Sequence, residues 1–550
     1  MPESRPPVRL EPEVAANSKF NGSPKHLCVM KLKGRFQQGT FLIGFLILAL
    51  PKNGAAQCTD CHGDVCAKWG ASVHANTQTD VATELGQSHA GETPAAVITA
   101  ENCIACHAPT SVLAKGGMTE GQALGYFFST SNGLFTANTT PANSALWPHL
   151  ECGACHNVPG DHPDTMPELA LFSSQMRQYV PMADASALCG QCHGNLQFSD
   201  TDHLIFNAWT NSRHARTQTD VATELSQSHP GETPAAVTAG EDCVACHAPT
   251  AVLAGGGMTA SQALGYFFTT TNGQFSADTA SAHLSEWPGV SCTACHDPHD
   301  PKKPSYFNSA TGQYQVLTNS ALLCGQCHGN LRFPDTDHLS YNIETGTGGI
   351  GVTNQQTMPG ATCTDCHMYT SPQDGTLSMS YHGHSWAITI QEAGGQVISS
   401  CTACHPTMDA QAAHTAITNW QSEFQTLDAT VQANVARAAA LLQGSQDTNR
   451  LAALAESQHN LSYAESDESG GFHNHNYLMA LLNDANSKVL SLPVLTAELQ
   501  GTNLVVSWTG TGTLQSAGSL TGLWQDVQGA ANPLVIPVSQ AEQRFYRLRP

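Results

Sequence analysis

The sequence predicts a mainly α protein with extensive loops packed around covalently bound prosthetic groups, long C-terminal helices and a small all-β module at the end. Three observations carry that prediction. A short cysteine and histidine motif recurs through residues 57–407, a Pro-free stretch with apolar residues at helical spacing begins at residue 408, and short alternating segments follow Pro493.

The motif comes first. Twenty cysteines in 550 residues are too many for a reduced cytosolic protein, and eighteen of them fall into one pattern, Cys-x-x-Cys-His. It occurs as Cys58-Cys61-His62, Cys103-Cys106-His107, Cys152-Cys155-His156, Cys189-Cys192-His193, Cys243-Cys246-His247, Cys292-Cys295-His296, Cys324-Cys327-His328, Cys363-Cys366-His367 and Cys401-Cys404-His405. From this composition chance would place roughly 0.03 such motifs in the chain. Only Cys28 and Cys66 stand outside the pattern, and Cys66 reads as an inert thiol. Two thiols three residues apart can each form a thioether to one vinyl group of a haem lying on that turn. The following imidazole then meets the iron as proximal ligand. Zinc knuckles or disulfides would not need a His after every second Cys. The motifs therefore predict nine covalent haems c, numbered 1 to 9 below in chain order.

Residues 31–56 read as an export signal: Lys31, Lys33 and Arg35, then the apolar run Phe41–Leu50, then small residues up to Ala56. That run is too short for a permanent span, and no later segment approaches eighteen apolar residues. The expected location is periplasmic or extracellular, with residues 1–56 as extension and signal peptide and no permanent membrane span. Of the 22 basic and 44 acidic residues, 8 and 3 lie in 1–56, which leaves 14 against 41. A mature charge of about −27 argues against nucleic acid as a partner and suits basic redox partners.

Residues 57–407 form the expected nine-haem region, and it is internally duplicated. His74 to His89 returns as His214 to His229 at an offset of 140 residues, as do Cys103 with Cys243 and Cys152 with Cys292; the Cys192 to His203 stretch returns as Cys327 to His338 at 135. A three-haem unit has been copied. Histidines repeated at equivalent positions are the better candidates for distal iron ligands: His74 with His214, His89 with His229, and His203 with His338. His149 and His283 have no repeat equivalent and rank lower. With so many haems in so short a chain, the macrocycles must supply much of the buried apolar volume, and loops with short helices suffice around them. Gly346–Gly351 matches a dinucleotide-loop pattern but has no strand before it or helix after it, and reads as a flexible loop.

Residues 408–492 are the expected helical region, with a long amphipathic helix over 408–442 carrying Ile417, Trp420, Phe424 and Leu427, and further helices near 448–464 and 476–490. Residues 493–550 read as strands at 504–508, 513–516, 524–527, 534–536 and 544–548. This module resembles the short terminal β-sandwich modules of secreted bacterial proteins, which implies attachment, sorting or a structural cap.

The order Thr362-Cys-Thr-Asp-Cys-His-Met368, Ser380-Tyr-His-Gly-His-Ser-Trp386, Cys401-Thr-Ala-Cys-His405 and the helix after it resembles the C-terminal half of the pentahaem ammonia-forming nitrite reductases and their octahaem relatives, the hydroxylamine oxidoreductase and tetrathionate reductase group. The resemblance covers perhaps 120–170 residues. It implies that His384, with His382 as rival, is a distal ligand, and that the C-terminal helical region supplies another, His473 or His475. The departures weaken an enzymatic reading. Those reductases commonly use Lys as proximal ligand at the catalytic haem, whereas all nine motifs here end in His, and Gly329-Asn-Leu-Arg-Phe333 replaces the family's Tyr-containing stretch. If the last five haems correspond to the family's five, the catalytic position falls on Cys243, Cys246 and His247.

The expected function is electron transfer between redox partners outside the cytoplasm through a chain of bis-His haems, the partners being other redox proteins or quinol-linked donors. The alternative is an oxidoreductase acting on a small nitrogen or sulfur oxo-compound at one open haem. Calcium is a further candidate cofactor, without assigned residues.

Overall fold

The structure, a computed structural model, describes most of residues 61–549; residues 1–60, 98–102, 238–242, 251–256, 281–285, 370–382, 392–396, 491–493 and a few shorter stretches lie outside the description. The export segment, Cys58, His283 and His382 are therefore among the residues not described. The chain divides into residues 1–66 and 67–550. Of the first part, Cys61 to Cys66 are described, with His62 exposed and a short helix starting at Gly63.

The duplication is visible element by element. In the first copy, helix α1 (Thr77–Ser88) precedes the motif turn Cys103–His107, helix α2 (Glu120–Phe127) and the hairpin β1 (Phe128–Ser131) to β2 (Leu134–Ala137). In the second, α3 (Thr217–Ser228), the turn Cys243–His247, α4 (Ala260–Phe267), β3 (Phe268–Thr271) and β4 (Gln274–Ala277) follow the same order. Local chemistry explains the boundaries. Thr119 with Gln122, and Thr259 with Gln262, form capping boxes that satisfy the free amides at the start of α2 and α4. Asn132-Gly133 and Asn272-Gly273 take left-handed φ of 51° and 78°, and 53° and 76°, as a two-residue type I′ hairpin requires. These hairpins lie where the sequence suggested only loops and short helices.

Each copy closes over its own core. Leu85, Leu124, Phe127 and Trp147 are buried in one, and Leu225, Leu264, Phe267 and Trp287 in the other, with the Trp ring edge-on to the Phe ring at 5.0 Å in both. The indole also does polar work. Trp147 Nε1 donates to Thr77 Oγ1 at 3.0 Å and Thr77 Oγ1 donates to the His107 carbonyl at 2.9 Å; Trp287, Thr217 and His247 repeat this at 2.9 and 2.7 Å. A buried Trp thus fixes the backbone of a motif histidine to the preceding helix.

The C-terminal helices are α5 (Ala410–Leu441), α6 (Thr448–Glu465) and α7 (His475–Leu490), close to the positions expected. Asp409 and Asp447 cap α5 and α6 by accepting from backbone amides of the first turn. Val431, Val435, Leu478, Leu481 and Leu482 form their shared core. The Gly346–Gly351 segment does not behave as the flexible loop read from the sequence. Gly349 N donates to Tyr477 Oη at 2.9 Å, Tyr463 Oη donates to Thr347 O at 2.7 Å, and Asn460 Oδ1 accepts from Ile350 N at 2.8 Å. Its glycines are there for close approach: a Cβ on Gly348 would lie 2.1 Å from Tyr463 Oη.

Gly471, two residues before His473, has φ +103°, and a Cβ there would sit 2.2 Å from Phe424 Cβ on α5. Gly471→Ala is expected to destabilise the helical region by about 2–4 kcal/mol, from backbone strain plus overpacking. Circular dichroism melting checks this, and an unchanged midpoint refutes it.

Strands β5 (Val494–Gln500), β6 (Asn503–Thr509), β7 (Thr513–Ala517), β8 (Gln525–Asp526), β9 (Leu534–Pro537) and β10 (Phe545–Arg549) form two antiparallel three-stranded sheets, ordered β5-β6-β9 and β8-β7-β10. Val506, Leu514 and Leu548 are buried in this module. The first strand, β5, was not among those read from the sequence. The fold is mainly α with loops around the motif turns, long C-terminal helices and a small all-β module. No helix among the described residues is long and apolar enough to cross a membrane.

Candidate haem sites

Motif histidines come together with other histidines at a recurring separation. His74 and His193 have ring centres 6.3 Å apart, His107 and His203 6.5 Å, His156 and His299 6.5 Å, and His214 and His328 5.9 Å. His247 and His338 are separated by 6.2 Å, His296 and His384 by 6.2 Å, and His367 and His473 by 5.8 Å. Two metal–imidazole bonds of about 2 Å, with roughly 1 Å from each nitrogen to its ring centre, require about 6 Å. All seven pairs fit one iron between two rings.

The pairing has a rule that follows the duplication. Within each unit the histidine before α1 or α3 faces the third motif (His74 with His193, His214 with His328), and the histidine after the third motif faces the first (His203 with His107, His338 with His247). The second motif of each unit is served from further along the chain: His156 by His299 and His296 by His384. His299 was given no role in the sequence reading. The structure places His89 and His229 at the C-terminal ends of α1 and α3, each with Nδ1 3.5 Å from a carboxylate, Glu92 or Glu232. His149 adopts a left-handed φ of 72°. Of the two C-terminal rivals, His473 faces His367, whereas His475 stacks on Trp420 at 5.1 Å and hydrogen-bonds the Gly471 carbonyl. His405 lies exposed at the end of the Cys401–Cys404 turn.

Burial prepares most of these rings as neutral ligands, the form that binds a metal. Desolvation, reinforced by neighbouring imidazoles, pulls His107 and His214 down to about 3 and His193 and His328 down to about 4. Two rings are exceptions: hydrogen bonds to Glu224 and Glu468 push His338 up to about 10, and the Asp467 carboxylate holds His473 above its ordinary value against the effect of burial, so each must shed a proton before it can ligate. The carboxylate involved recurs in both copies. Glu84 Oε2 stands 3.6 Å from His107 Nε2 and 3.9 Å from His203 Nε2, and Glu224 Oε2 stands 3.6 and 3.8 Å from His247 and His338 Nε2. These side chains are about one-third exposed, at 36% and 33%, so they can swing outward where a macrocycle needs the space.

The other ring nitrogens are oriented by fixed acceptors, which sets the tautomer and the donor strength of a ligand. His367 Nδ1 donates to the Trp386 carbonyl at 2.7 Å and His296 Nδ1 to the Pro301 carbonyl at 3.2 Å. His473 Nδ1 instead donates to the buried Asp467 carboxylate at 2.7 Å.

Attachment cysteines also meet across motifs. The Cys192 side chain lies against Cys106, Cys189 against Cys292, Cys327 against Cys246 and Cys324 against Cys363. The third motif of each unit therefore touches its own first motif and a later one, so motifs 2, 4 and 6 form one run and motifs 5, 7 and 8 another.

Family comparisons fall on the same segments. Residues 57–124 and 188–297 match the model for cytochrome c554 and c-prime, residues 288–333 the doubled CXXCH motif, and residues 351–503 cytochrome c552. Comparison with curated proteins returns no match. Among solved structures, the outer cell wall cytochrome OcwA aligns at 18% identity and TM-score 0.41, covering 79% of this chain and 99% of that one. The undecaheme cytochrome from the S-layer of Carboxydothermus ferrireducens aligns at 16% identity and TM-score 0.40, covering 80% and 70%. Cytochrome c nitrite reductase from Desulfovibrio desulfuricans aligns at 17% identity and TM-score 0.26, covering 37% and 56%. Because separate cytochrome families match successive stretches that each contain the attachment motifs, the chain is a multihaem c-type cytochrome.

Proposed function

We propose that this cytochrome carries electrons between redox partners outside the cytoplasm through nine haems c, attached at the eighteen motif cysteines with the nine motif histidines as proximal ligands. The observation that carries the reading is the set of seven imidazole pairs separated by 5.8–6.5 Å. Their distal members are His74, His203, His299, His214, His338, His384 and His473. A haem held between two imidazoles supplies reversible one-electron chemistry without an open iron position. The protein's own part is to keep these rings neutral, oriented and close enough for successive motifs to touch. The cysteine contacts support two runs of closely spaced sites, motifs 2, 4 and 6 in one and motifs 5, 7 and 8 in the other.

Export rests on the signal-like residues 31–56 and on a mature chain rich in acid, which suits basic protein partners or quinol-linked donors at a distance from anionic surfaces. We assign residues 57–407 to haem binding, 408–492 to a helical region that supplies His473, and 493–550 to an attachment or capping module. Calcium is a candidate second cofactor.

The test is the haem content of the purified protein together with its electron paramagnetic resonance spectrum in the oxidised state. Nine haems per chain with low-spin ferric signals at the seven paired sites are expected. Fewer than seven low-spin haems in a fully loaded protein would overturn the reading, and a high-spin signal integrating to one haem would direct attention to the nitrogen or sulfur oxo-compound alternative.

A further inference from the structure

Three of the imidazole pairs meet at one residue. The turn Gly383–Ser385 carries His384, and Trp386 follows it with φ +54°, a left-handed conformation that is costly for a bulky side chain and persists only where surrounding contacts hold it. Its carbonyl accepts the 2.7 Å hydrogen bond from His367 Nδ1. Its ring lies edge-on to His214 at 4.2 Å and 68°, and edge-on to His384 at 5.5 Å and 76°. These three histidines belong to three different pairs, His296 with His384, His214 with His328, and His367 with His473. The turn is wedged in place, because a Cβ on Gly383 would lie 2.2 Å from the Met368 carbonyl oxygen, one residue beyond His367. Ser320 Oγ and Thr364 Oγ1, 2.9 Å apart, bring the turns of motifs 7 and 8 together independently.

We infer that Trp386 is a positioning residue that fixes one axial imidazole at each of motifs 6, 7 and 8 and so makes them a three-way junction in the electron path. The inference rests on the bis-imidazole reading of those motifs. The indole stays chemically unchanged: haems held at the three motifs would supply the one-electron chemistry, and Trp386 would only position their imidazoles. What Trp386 contributes is ring orientation at His214 and His384 through its face and edges, and the donor strength of His367 through its carbonyl. A φ in the ordinary range would swing the carbonyl and the ring away from their partners together, which is why the strain is retained.

The experiment compares the full-length, haem-loaded protein with W386G, W386A and W386F, and with W508F in the β module as a control. The readouts are haem content, low-spin resonance positions and a spectroelectrochemical titration. Glycine tolerates the left-handed backbone, so W386G keeps the carbonyl bond and loses the ring; altered resonances are expected at two haems, those of motifs 6 and 7. In W386A the backbone strain returns without the ring contacts that hold it, and all three haems of the trio are expected to shift, while W386F restores most of the native spectrum. Native resonances and potentials in W386G and W386A at full haem content would overturn the inference. Should W386A fail to load haem, W386G and W386F decide alone. H384A and H214A separate this inference from the reading beneath it: each is expected to yield one high-spin haem, and if neither does, the bis-imidazole assignment fails rather than the role of Trp386.

Discussion

The His299→Ala variant is expected to convert one haem in nine from low-spin to high-spin ferric, with the haem content unchanged and the other eight haems spectroscopically intact. His299 faces His156 with ring centres 6.5 Å apart and planes only 9° from parallel, the closest to parallel of the seven pairs. Its position is held by local bonds: His299 N donates to Asp297 Oδ1 at 3.0 Å, and Nδ1 lies 3.3 Å from the same carboxylate. Asp297 is itself buried. Burial works against its ionisation, but the 2.9 Å bond from Lys68 Nζ and the His299 amide hold its carboxyl below the ordinary value. On the proposed reading, removing the imidazole deletes a ligand from a prepared site, and an alanine methyl cannot replace it. The attachment at Cys152 and Cys155 and the proximal His156 are untouched, so the haem stays bound. The measurement is the integrated high-spin ferric signal against total haem. A fully loaded H299A protein without that signal would show that His156 has some other sixth ligand. The near-parallel planes add a second check, because parallel imidazoles give a more rhombic low-spin signal than crossed ones, and that signal should be the one lost.

The attachment sites were legible in the sequence because thioether chemistry needs its two thiols and its proximal imidazole on one short turn, so the whole site is contiguous. Candidate distal partners were legible through the family resemblance at His384 and His473, which the structure brings opposite His296 and His367, and elsewhere where the duplication copied them. His74, His214, His203 and His338 were found that way, and the structure brings each opposite a motif histidine. The same logic does not say which motif a copied histidine serves: His89 and His229 recur just as faithfully, at the ends of α1 and α3. It also cannot find a ligand that only one copy has. Counting back 140 residues from His299 lands on Pro159, so repetition passes it over. The available signal was the spacing His296-Asp-Pro-His299, a second imidazole three residues past a motif that cannot reach the same iron and so serves another. The crossed pairing within each unit was not legible at all, because it depends on how α1 and α3 pack against their Trp-anchored motif turns. The helices of residues 408–492 were predicted well from their periodicity, whereas Gly346–Gly351 looked flexible because its partners, Tyr463 and Tyr477, lie more than a hundred residues away.

The Asp467→Asn variant is expected to raise the reduction potential of the motif 8 haem by roughly 40–90 mV and leave the others in place. The Asp467 side chain has no exposed surface, and its Oδ1 accepts from His473 Nδ1 at 2.7 Å. Ser469 Oγ bonds the other oxygen and accepts from the amides of Phe472 and His473 at 2.8 and 2.9 Å, so the carboxylate is locked against the ring. Burial pulls the His473 proton affinity down, yet the bond to Asp467 and its charge outweigh this and hold it above the ordinary value. A ligand that donates its second N–H to a carboxylate is more basic and favours the oxidised iron. Asparagine keeps an oxygen acceptor of nearly the same shape and removes the charge. The difference between a charged and a neutral hydrogen bond is about 1–2 kcal/mol, which for a one-electron couple is the quoted shift, at 59 mV per tenfold. A spectroelectrochemical titration should show one component of nine moving upward; a downward shift, or none, would mean that Asp467 serves the loop and not the iron. The opposite ligand of the same pair sharpens the argument. His367 leans on the carbonyl of Trp386, a neutral dipole, so the two facing imidazoles at motif 8 are backed by unequal acceptors, and on the proposed reading the charged one would set the potential of a haem held between them.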